Sequence, residues 1–434
     1  MIGLARTGVA VTRWLAGQGV AVYASDAADT PAIRAAAQGL ASPQVHAQCG
    51  AHDLDRIRRA VAVIVSPGVS PSAPPVAAAR AAGLQVVAEL DLAARALAPA
   101  KLIVVTGTNG KSTTTALIGH LLAAEGRSAV VGGNIGRPLI EFAGSSPEWA
   151  VVEASSFQLH DAPHLAPTVG VLTNLAPDHQ DRYAGVADYY ADKRLLFRNA
   201  APDSTWVLNA DDPAVVELAR GVPGTRRTWS LRGRADAWWD RSSGVLMLGR
   251  DPLLPRDRLP LLGDHNVGNA LAAALAAVAA SLGALAVGGG LASFQGLAHR
   301  LESVGEVNGV LWINDSKATN VASTSVALRA MTRPYVLILG GRHKGDPYTP
   351  LAPLLANGCR GIVAYGEAAP LVVRDLGTVA ETHARGPFAE AVHQAGRLAR
   401  AGDAVLLSPA CSSFDQFTSY EERGATFRRW VESL

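Results

Sequence analysis

Leu102-Ile-Val-Val-Thr-Gly-Thr-Asn-Gly-Lys-Ser-Thr-Thr-Thr115 is the stretch on which the fold turns. Its four apolar residues, Leu102 to Val105, read as a buried parallel strand. Thr106 to Gly110 are small or turn-forming, and an Ala/Leu/Ile-rich segment from Thr114 to Glu125 has helical period. Strand, glycine loop and helix in that order make a phosphate cradle. Gly107 and Gly110 leave backbone N–H groups free to curl round an anion, the helix N-terminus adds its positive dipole end, and Lys111 brings a point charge to the terminal phosphates. Ser112 or Thr113 offers a hydroxyl to the accompanying magnesium. The standard pattern wants a glycine where Val105 stands, so this loop is a tighter variant.

Working outward, further apolar strands end in polar residues. Ala129 to Val131 leads into Gly132-Gly-Asn-Ile-Gly136, Ala150 to Val152 into Glu153-Ala-Ser-Ser-Phe-Gln158, and Val169 to Leu172 into Thr173-Asn-Leu-Ala-Pro-Asp-His-Gln-Asp-Arg-Tyr183. Glu153 is the natural magnesium carboxylate, since that ion takes oxygen ligands together with phosphates. His179, between Asp178 and Asp181, reads as a ligand or as an ordered residue at a helix start. Lys193, on an amphipathic helix with Leu195, Leu196 and Phe197, reads as a solvated charge. Asn266 and Asn269 share a helix face and suit either an adenine edge or a helix cap.

A chain of 434 residues is too long for one core, and two or three domains are expected, with the first boundary near Pro99. Hydrophobic residues at 49% and charged ones at 18% exclude a disordered chain, and a net charge of +2 with 6% aromatics argues against nucleic acid. Cys49, Cys359 and Cys411 are too scattered for a disulfide framework or a zinc site, which fits a reducing cytosol. No signal peptide is legible. Asn266 to Ala298 lacks Asp, Glu, Lys and Arg, yet Leu271, Leu275, Val278 and Leu282 mark one helical stripe; this predicts a buried helix broken at Gly288-Gly289-Gly290 rather than a membrane span.

At the amino end, Met1-Ile-Gly-Leu-Ala-Arg-Thr-Gly8 resembles a dinucleotide-type glycine turn. A helix to about Gly17 and a strand Val20 to Ala24 follow, ending at Asp26, where an acid reaches a ribose hydroxyl. The strand before Gly3 is reduced to Met1-Ile2, so the innermost strand of this Rossmann-like unit is expected to be nearly absent. Val61 to Val65 closes on Ser66-Pro-Gly-Val-Ser-Pro71, a turn or a ligand loop on its residues alone. From about Gln295 a third α/β unit begins, with a hairpin at Asn308-Gly309 and polar loops after the strands Val310 to Ile313, Tyr335 to Leu339 and Ala404 to Leu407.

Thr106-Gly-Thr-Asn-Gly-Lys-Ser-Thr113, Asn209-Ala-Asp-Asp212, His265-Asn266 with Asn269, His299-Arg300, Asn314-Asp-Ser-Lys-Ala-Thr-Asn320 and Gly340-Gly-x-x-Lys-Gly345 together resemble the Mur ligases of peptidoglycan synthesis. Gly132 to Gly136, Ser155-Ser-Phe-Gln-Leu159, Asp178 to Tyr183 and Leu407-Ser-Pro-Ala-Cys-x-Ser413 resemble the branch of that family that adds D-glutamate. The resemblance implies three domains: a truncated Rossmann-like UDP-substrate domain (1–97), a central P-loop ATPase-like domain with a parallel sheet (98–295) and a Rossmann-like amino-acid domain (296–434). It implies a cytoplasmic, monomeric enzyme that uses ATP and two Mg2+ ions to join D-glutamate to UDP-N-acetylmuramoyl-L-alanine.

Carried over position by position, Gly107, Thr108, Asn109, Gly110, Lys111, Ser112, Thr113 and Thr114 would bind the ATP phosphates, Asn266 and Asn269 adenine, and Arg300 and Asp315 the rest of the nucleotide. Ser112, Glu153, His179 and Lys193, the last as a CO2-derived carbamate, would hold metal, which replaces the solvated reading of Lys193. Arg6, Thr7, Asp26, Ser66, Gly68, Asn134, Ser155 and Gln158 would meet the UDP-substrate. Lys317 would act on the reacting groups, and Thr319, Lys344, Ser413 and Tyr420 would hold D-glutamate; Tyr420 stands where the family often has phenylalanine. The rivals at this point are a sister ligase or a folylpolyglutamate synthetase, an ATP-binding regulator, and a dinucleotide oxidoreductase resting on the Gly3 to Gly8 turn.

Overall fold

The computed structural model describes residues 1–179, 182–356 and 358–434; Gln180 and Asp181, inside the Asp178 to Tyr183 motif, lie outside the described residues. The chain divides into two compact units, Met1–Leu259 with Gly268–Phe294, and Pro260–Val267 with Gln295–Leu434.

The first unit opens with two parallel strand pairs, β1 (Val22–Asp26) with β2 (Val45–Cys49), and β3 (Ala62–Val65) with β4 (Gln85–Ala88). Between β1 and β3 a single residue, Ile2, forms parallel bridges to Ser25 and to Val65. The shortened leading strand therefore survives as one rung. β1 begins at Val22, two residues later than the apolar run suggests, because its neighbour β2 begins at Val45, the residue paired with Val22.

The rest of this unit is a nine-stranded sheet built from β5 (Lys101–Thr106), β6 (Ala129–Gly133), β7 (Trp149–Glu153), β8 (Val169–Leu172), β9 (Thr205–Asn209), β10 (Thr225–Ser230), β11 (Ala237–Asp240), β12 (Val245–Leu248) and β13 (Asp251–Pro255). Their order is β13-β12-β11-β10-β9-β8-β5-β7-β6, parallel from β6 to β11 with an antiparallel edge. Ile103, Val104, Val105, Val151 and Val152 have no exposed surface, as expected of parallel strands covered on both faces. The loops carrying the polar motifs consequently leave one edge of the sheet, at the strands' carboxyl ends.

Two helices depart from the sequence reading. The helix after β5 starts at Lys111, three residues before the apolar period begins, because its first turn carries phosphate-facing groups instead of core contacts. The uncharged segment forms two helices, Asp264–Ala279 and Ala284–Ser293, and the second runs straight through Gly288-Gly289-Gly290. The break falls instead at Ala280 to Gly283. A Cβ on Gly288 would strike the Leu253 carbonyl within about 2.5 Å, and one on Gly290 would strike Leu121, so these glycines admit close neighbours rather than stopping the helix.

The second unit carries β14 (Glu302–Val307), β15 (Val310–Asn314), β16 (Tyr335–Gly340), β17 (Cys359–Tyr365), β18 (Thr382–Arg385) and β19 (Ala404–Leu407) in the order β14-β15-β19-β16-β17-β18. Only the β14–β15 hairpin is antiparallel. β16 is buried along its whole length, and helices cover both faces.

Candidate active site

In the first unit the phosphate loop is held from beneath by the end of β8. Thr108 N donates to Asn174 O (2.9 Å), Asn109 N to Asn174 Oδ1 (2.9 Å), and Thr173 Oγ1 to Asn109 O (2.6 Å). Gly110 has φ +82°, and a Cβ there would collide with Asn269 Oδ1, so any other residue is strained and must push the Asn269 side chain aside. Thr114 Oγ1 donates to the same Asn269 oxygen (3.4 Å). Lys111 folds back so that Nζ donates to Thr108 O (2.7 Å), and Ser112 is buried in the first helical turn. Backbone donors, a helix N-terminus and an ammonium thus face one volume, which is the electrostatics an oligophosphate requires.

Glu153 closes β7 next to this loop and is 2% exposed. Its Oε1 accepts from Asn134 Nδ2 (2.8 Å), and Asn134 N donates to Glu153 O (2.9 Å); Oε2 is buried with no hydrogen-bond partner. A carboxylate oxygen left without a donor fits a hard cation. Among the described residues no three His, Cys, Asp or Glu side chains gather as a cage, so a magnesium ion here would draw its other ligands from Ser112, phosphate oxygens and water.

Lys193 is not solvated. It is 1% exposed, and its Nζ donates to Thr106 Oγ1 (3.0 Å), itself a donor to Ala154 O (2.7 Å). Burial, reinforced by the neighbouring Lys111 ammonium, drives its pKa well below the ordinary lysine value, while Glu153, Asp178 and Asp192 pull the other way. The amine is therefore held toward its neutral, nucleophilic form. His179 is exposed, with φ +53° and its ring 5.1 Å from that of Phe157. Asp192, beside Lys193 in sequence, accepts from Tyr183 OH (2.8 Å) and bonds His160 Nδ1 (2.8 Å).

On the side assigned to the UDP-substrate, Asp26 Oδ2 accepts from Leu4 N (2.7 Å) and Oδ1 from Ala28 N (2.9 Å), which orders the Gly3 turn. Arg6 and Thr7 open the helix Arg6–Gly17 with no side-chain cap, leaving its first N–H groups to a ligand. Ser66 lies against Gly3, and Gly68 O accepts from Arg182 Nη2 (3.2 Å). Ser155 and Gln158 form a capping box on the helix Ser156–His160, so both have structural work besides any contact with substrate.

The second unit gathers a separate set. Asp315, at the end of β15, accepts from Ser408 Oγ (2.8 Å) and Leu301 N (3.2 Å), and burial pushes its carboxyl up to about 7. Lys317 Nζ lies 5.4 Å from the centre of the Tyr420 ring, and Thr319 N donates to Lys317 O (2.9 Å). Arg342 and Ser412 pair across two loops, bringing the loop of exposed Lys344 beside that of buried Ser413. Arg300 is exposed near Asp315, and Asn266 Nδ2 donates to Leu262 O (2.8 Å). Asn266 belongs to this unit and Asn269 to the first, although one helix carries both.

Several supporting residues escaped the sequence reading. Arg423, with no exposed surface, donates to Ser316 Oγ (2.9 Å), Ser316 O (2.8 Å), Cys411 O (3.2 Å) and Tyr365 OH (3.2 Å), tying the Lys317 loop to the Ser413 loop. An arginine in an amphipathic helix carries no mark of burial. Asn174 and Thr173 stood inside a quoted motif, and their place directly after a strand was the available signal.

Three family profiles cover the chain: Mur ligase MurD-like N-terminal domain at residues 1–88, Mur ligase middle domain at 105–277, and Mur ligase glutamate ligase domain at 299–411. The chain belongs to the Mur ligase family. Similar Mur ligases include the UDP-N-acetylmuramoylalanine–D-glutamate ligase of Myxococcus xanthus, 42% identical over 446 residues that span 100% of this chain and 98% of the relative. The ligase of the same name from Geotalea uraniireducens is 41% identical over 442 residues, spanning 100% and 97%. Among solved Mur ligase structures, UDP-N-acetylmuramate-alanine ligase of Thermotoga maritima superposes with a TM-score of 0.65 at 19% identity, covering 100% of this chain and 98% of that one. A pseudomurein peptide ligase from Methanothermus fervidus gives 0.60 at 19% identity, covering 100% and 98%. At such identities these two likenesses speak to the fold alone.

Proposed function

We infer that this Mur ligase joins D-glutamate to UDP-N-acetylmuramoyl-L-alanine at the expense of ATP, in peptidoglycan precursor synthesis. Full-length similarity to enzymes named for that reaction carries the inference. A carboxylate is a poor acyl donor because oxide would have to leave, so the alanine carboxylate first attacks the γ-phosphoryl group of ATP and ADP departs. The amine of D-glutamate then attacks the acyl phosphate, loses a proton and expels phosphate.

Region 1–97 is assigned to the UDP-substrate through Arg6, Thr7, Asp26, Ser66 and Gly68, assisted by Asn134, Ser155 and Gln158; region 98–295 to ATP; and region 296–434 to D-glutamate through Thr319, Lys344, Ser413 and Tyr420. Gly107 to Thr114 cradle the phosphates, and Lys111 neutralises charge as the γ-phosphoryl transfers. Asn266 and Asn269 take adenine, and Arg300 and Asp315 the remainder of the nucleotide. Ser112 and Glu153 would hold one magnesium, which when bound would screen the charge of the phosphate oxygens. Lys193 is assigned, as a carbamate formed from CO2 and its neutral amine, to a second magnesium with His179; its burial and the depression of its pKa support that role. Lys317 steadies the reacting carboxylate.

The test is phosphate release from ATP and magnesium with UDP-N-acetylmuramoyl-L-alanine, comparing D-glutamate, L-alanine and a diamino acid. Release that requires both the UDP-sugar and D-glutamate is expected. Release indifferent to the acceptor would overturn the assignment and return the chain to an ATP-binding regulator.

A further inference from the structure

The loops leaving β16 and β19 are joined at their starts by backbone. Gly340 N donates to Pro409 O (3.0 Å), Arg342 N to Ser412 O (2.9 Å) and Ser412 N to Arg342 O (3.2 Å). Beyond Arg342 the first loop leaves this ladder: Lys344, Gly345, Asp346 and Pro347 are exposed, and Gly345 turns at φ +101°. The chain comes back inside at Tyr348, which is 1% exposed and shares a core cluster with Leu351 and Cys411. Its hydroxyl bonds His343 Nδ1 (3.0 Å) on one side and Cys411 Sγ (2.9 Å) on the other.

A phenylalanine ring fills a core site as well as a tyrosine ring does, whereas a hydroxyl costs free energy to bury unless it is bonded. Here it is bonded twice, and its partners decide what it does. His343 is the chain neighbour of Lys344, and Cys411 stands two residues before Ser413. Burial pushes the Cys411 thiol up to about 11, so it keeps its proton and acts as a hydrogen-bonding partner, not as a nucleophile. The Cys411 carbonyl is held in turn by Arg423 (3.2 Å).

We propose that the Tyr348 hydroxyl is a positioning group for the acceptor amino acid: by joining His343 to Cys411 it sets the spacing between Lys344 and Ser413, and so the fit of a ligand with two carboxylates. The inference rests on the assignment of Lys344 and Ser413 to D-glutamate. The rest of Tyr348 is held independently of its hydroxyl. Its N donates to Asp375 Oδ2 (2.9 Å), its O accepts from Leu351 N (2.9 Å), and the ring lies in the core. Tyr348→Phe therefore takes away the joint alone, with the far end of the loop still in place, and His343 Nδ1 and Cys411 Sγ each lose this partner.

The test is steady-state kinetics of the full chain with ATP, magnesium, UDP-N-acetylmuramoyl-L-alanine and D-glutamate. Tyr348→Phe is expected to raise the KM for D-glutamate roughly 5- to 10-fold, the contribution of one hydrogen bond, with kcat within about 2-fold and the KM values for ATP and the UDP-sugar unchanged. Cys411→Ala should match it. Cys411→Ser, whose hydroxyl keeps the bond to Tyr348, should recover most of the loss, and Tyr348→Phe combined with Cys411→Ala should be no worse than either alone. An unchanged KM for D-glutamate in Tyr348→Phe would overturn the proposal, as would a rise in all three KM values together, which a general loosening of the fold produces. So would a Cys411→Ser enzyme as impaired as Cys411→Ala. Wild-type turnover that ignores D-glutamate would remove the assignment itself and this inference with it; turnover that requires D-glutamate, with an unchanged KM in Tyr348→Phe, would leave the assignment standing and remove only the positioning role.

Discussion

Replacing Glu89 by glutamine should stabilise this protein at alkaline pH and leave it unchanged in mild acid. Glu89 begins the helix Glu89–Ala96, is 1% exposed, and accepts Ile140 N at Oε1 (2.7 Å), while Oε2 is buried with no partner. Desolvation outweighs the Ile140 and Leu139 backbone bonds and lifts its carboxyl from an ordinary 4.5 to about 7. Between those values the folded chain holds a proton that the unfolded chain has released, so stability falls as pH rises through the window and the deficit is complete above pH 7. At about 1.4 kcal/mol per pH unit, a rise from 4.5 to about 7 corresponds to about 3 kcal/mol. Glutamine keeps the acceptor for Ile140 N and has no charge to bury. Urea unfolding of wild type and Glu89→Gln at pH 4, below the window, and at pH 8, above it, should give matching midpoints at pH 4 and a higher midpoint for the variant at pH 8. A variant that is weaker at pH 8, or equal to wild type at both, would refute the reasoning. Ile140 lies in the turn after the loop of Asn134, the partner of Glu153, so the bond also anchors one wall of the phosphate site.

Three further outcomes follow from the site. Lys193→Ala should lower ligase turnover at least ~100-fold, and wild-type activity should depend on bicarbonate and decline toward acid as the amine protonates; full activity of Lys193→Ala at ambient CO2 would remove the carbamate assignment. Gly110→Ala places a Cβ on Asn269 at φ +82° and should weaken ATP use at least ~10-fold in kcat/KM while the chain stays folded by circular dichroism. Arg423→Leu leaves the carbonyls of Ser316 and Cys411 without their donor and should destabilise the second unit by about 3 kcal/mol, seen as a lower urea midpoint for near-ultraviolet signals from Tyr365 and Tyr420.

The strand, loop and helix around Lys111 were legible because each piece is written locally: β-branched residues, then glycines, then helical period. The strand-end loops were legible for the same reason, and with them Glu153, Asp315 and Ser413. Lys193 was not, since the partner that its buried amine meets, Thr106, is far away in sequence, and an amphipathic helix hides which of its charges turns inward. Gly288 to Gly290 misled for a related reason. Glycine weakens an isolated helix, and only Leu253 and Leu121 reveal that here it makes room. The capping box of Ser155 and Gln158 was present in the spelling Ser-x-x-Gln but was absorbed into a substrate role.

The common polarity of the parallel strands divides the central sheet into a chemical rim and a constructional one. The turns that feed the amino ends of β6, β7 and β10 contain Gly126, Gly144 and Gly221, each at positive φ with open space where a side chain would point. They lie a strand's length from the phosphate loop, at the rim where no assigned residue sits. Those turns are where a fluorophore, an affinity tag or an inserted domain can be placed to report on the enzyme without entering its chemistry.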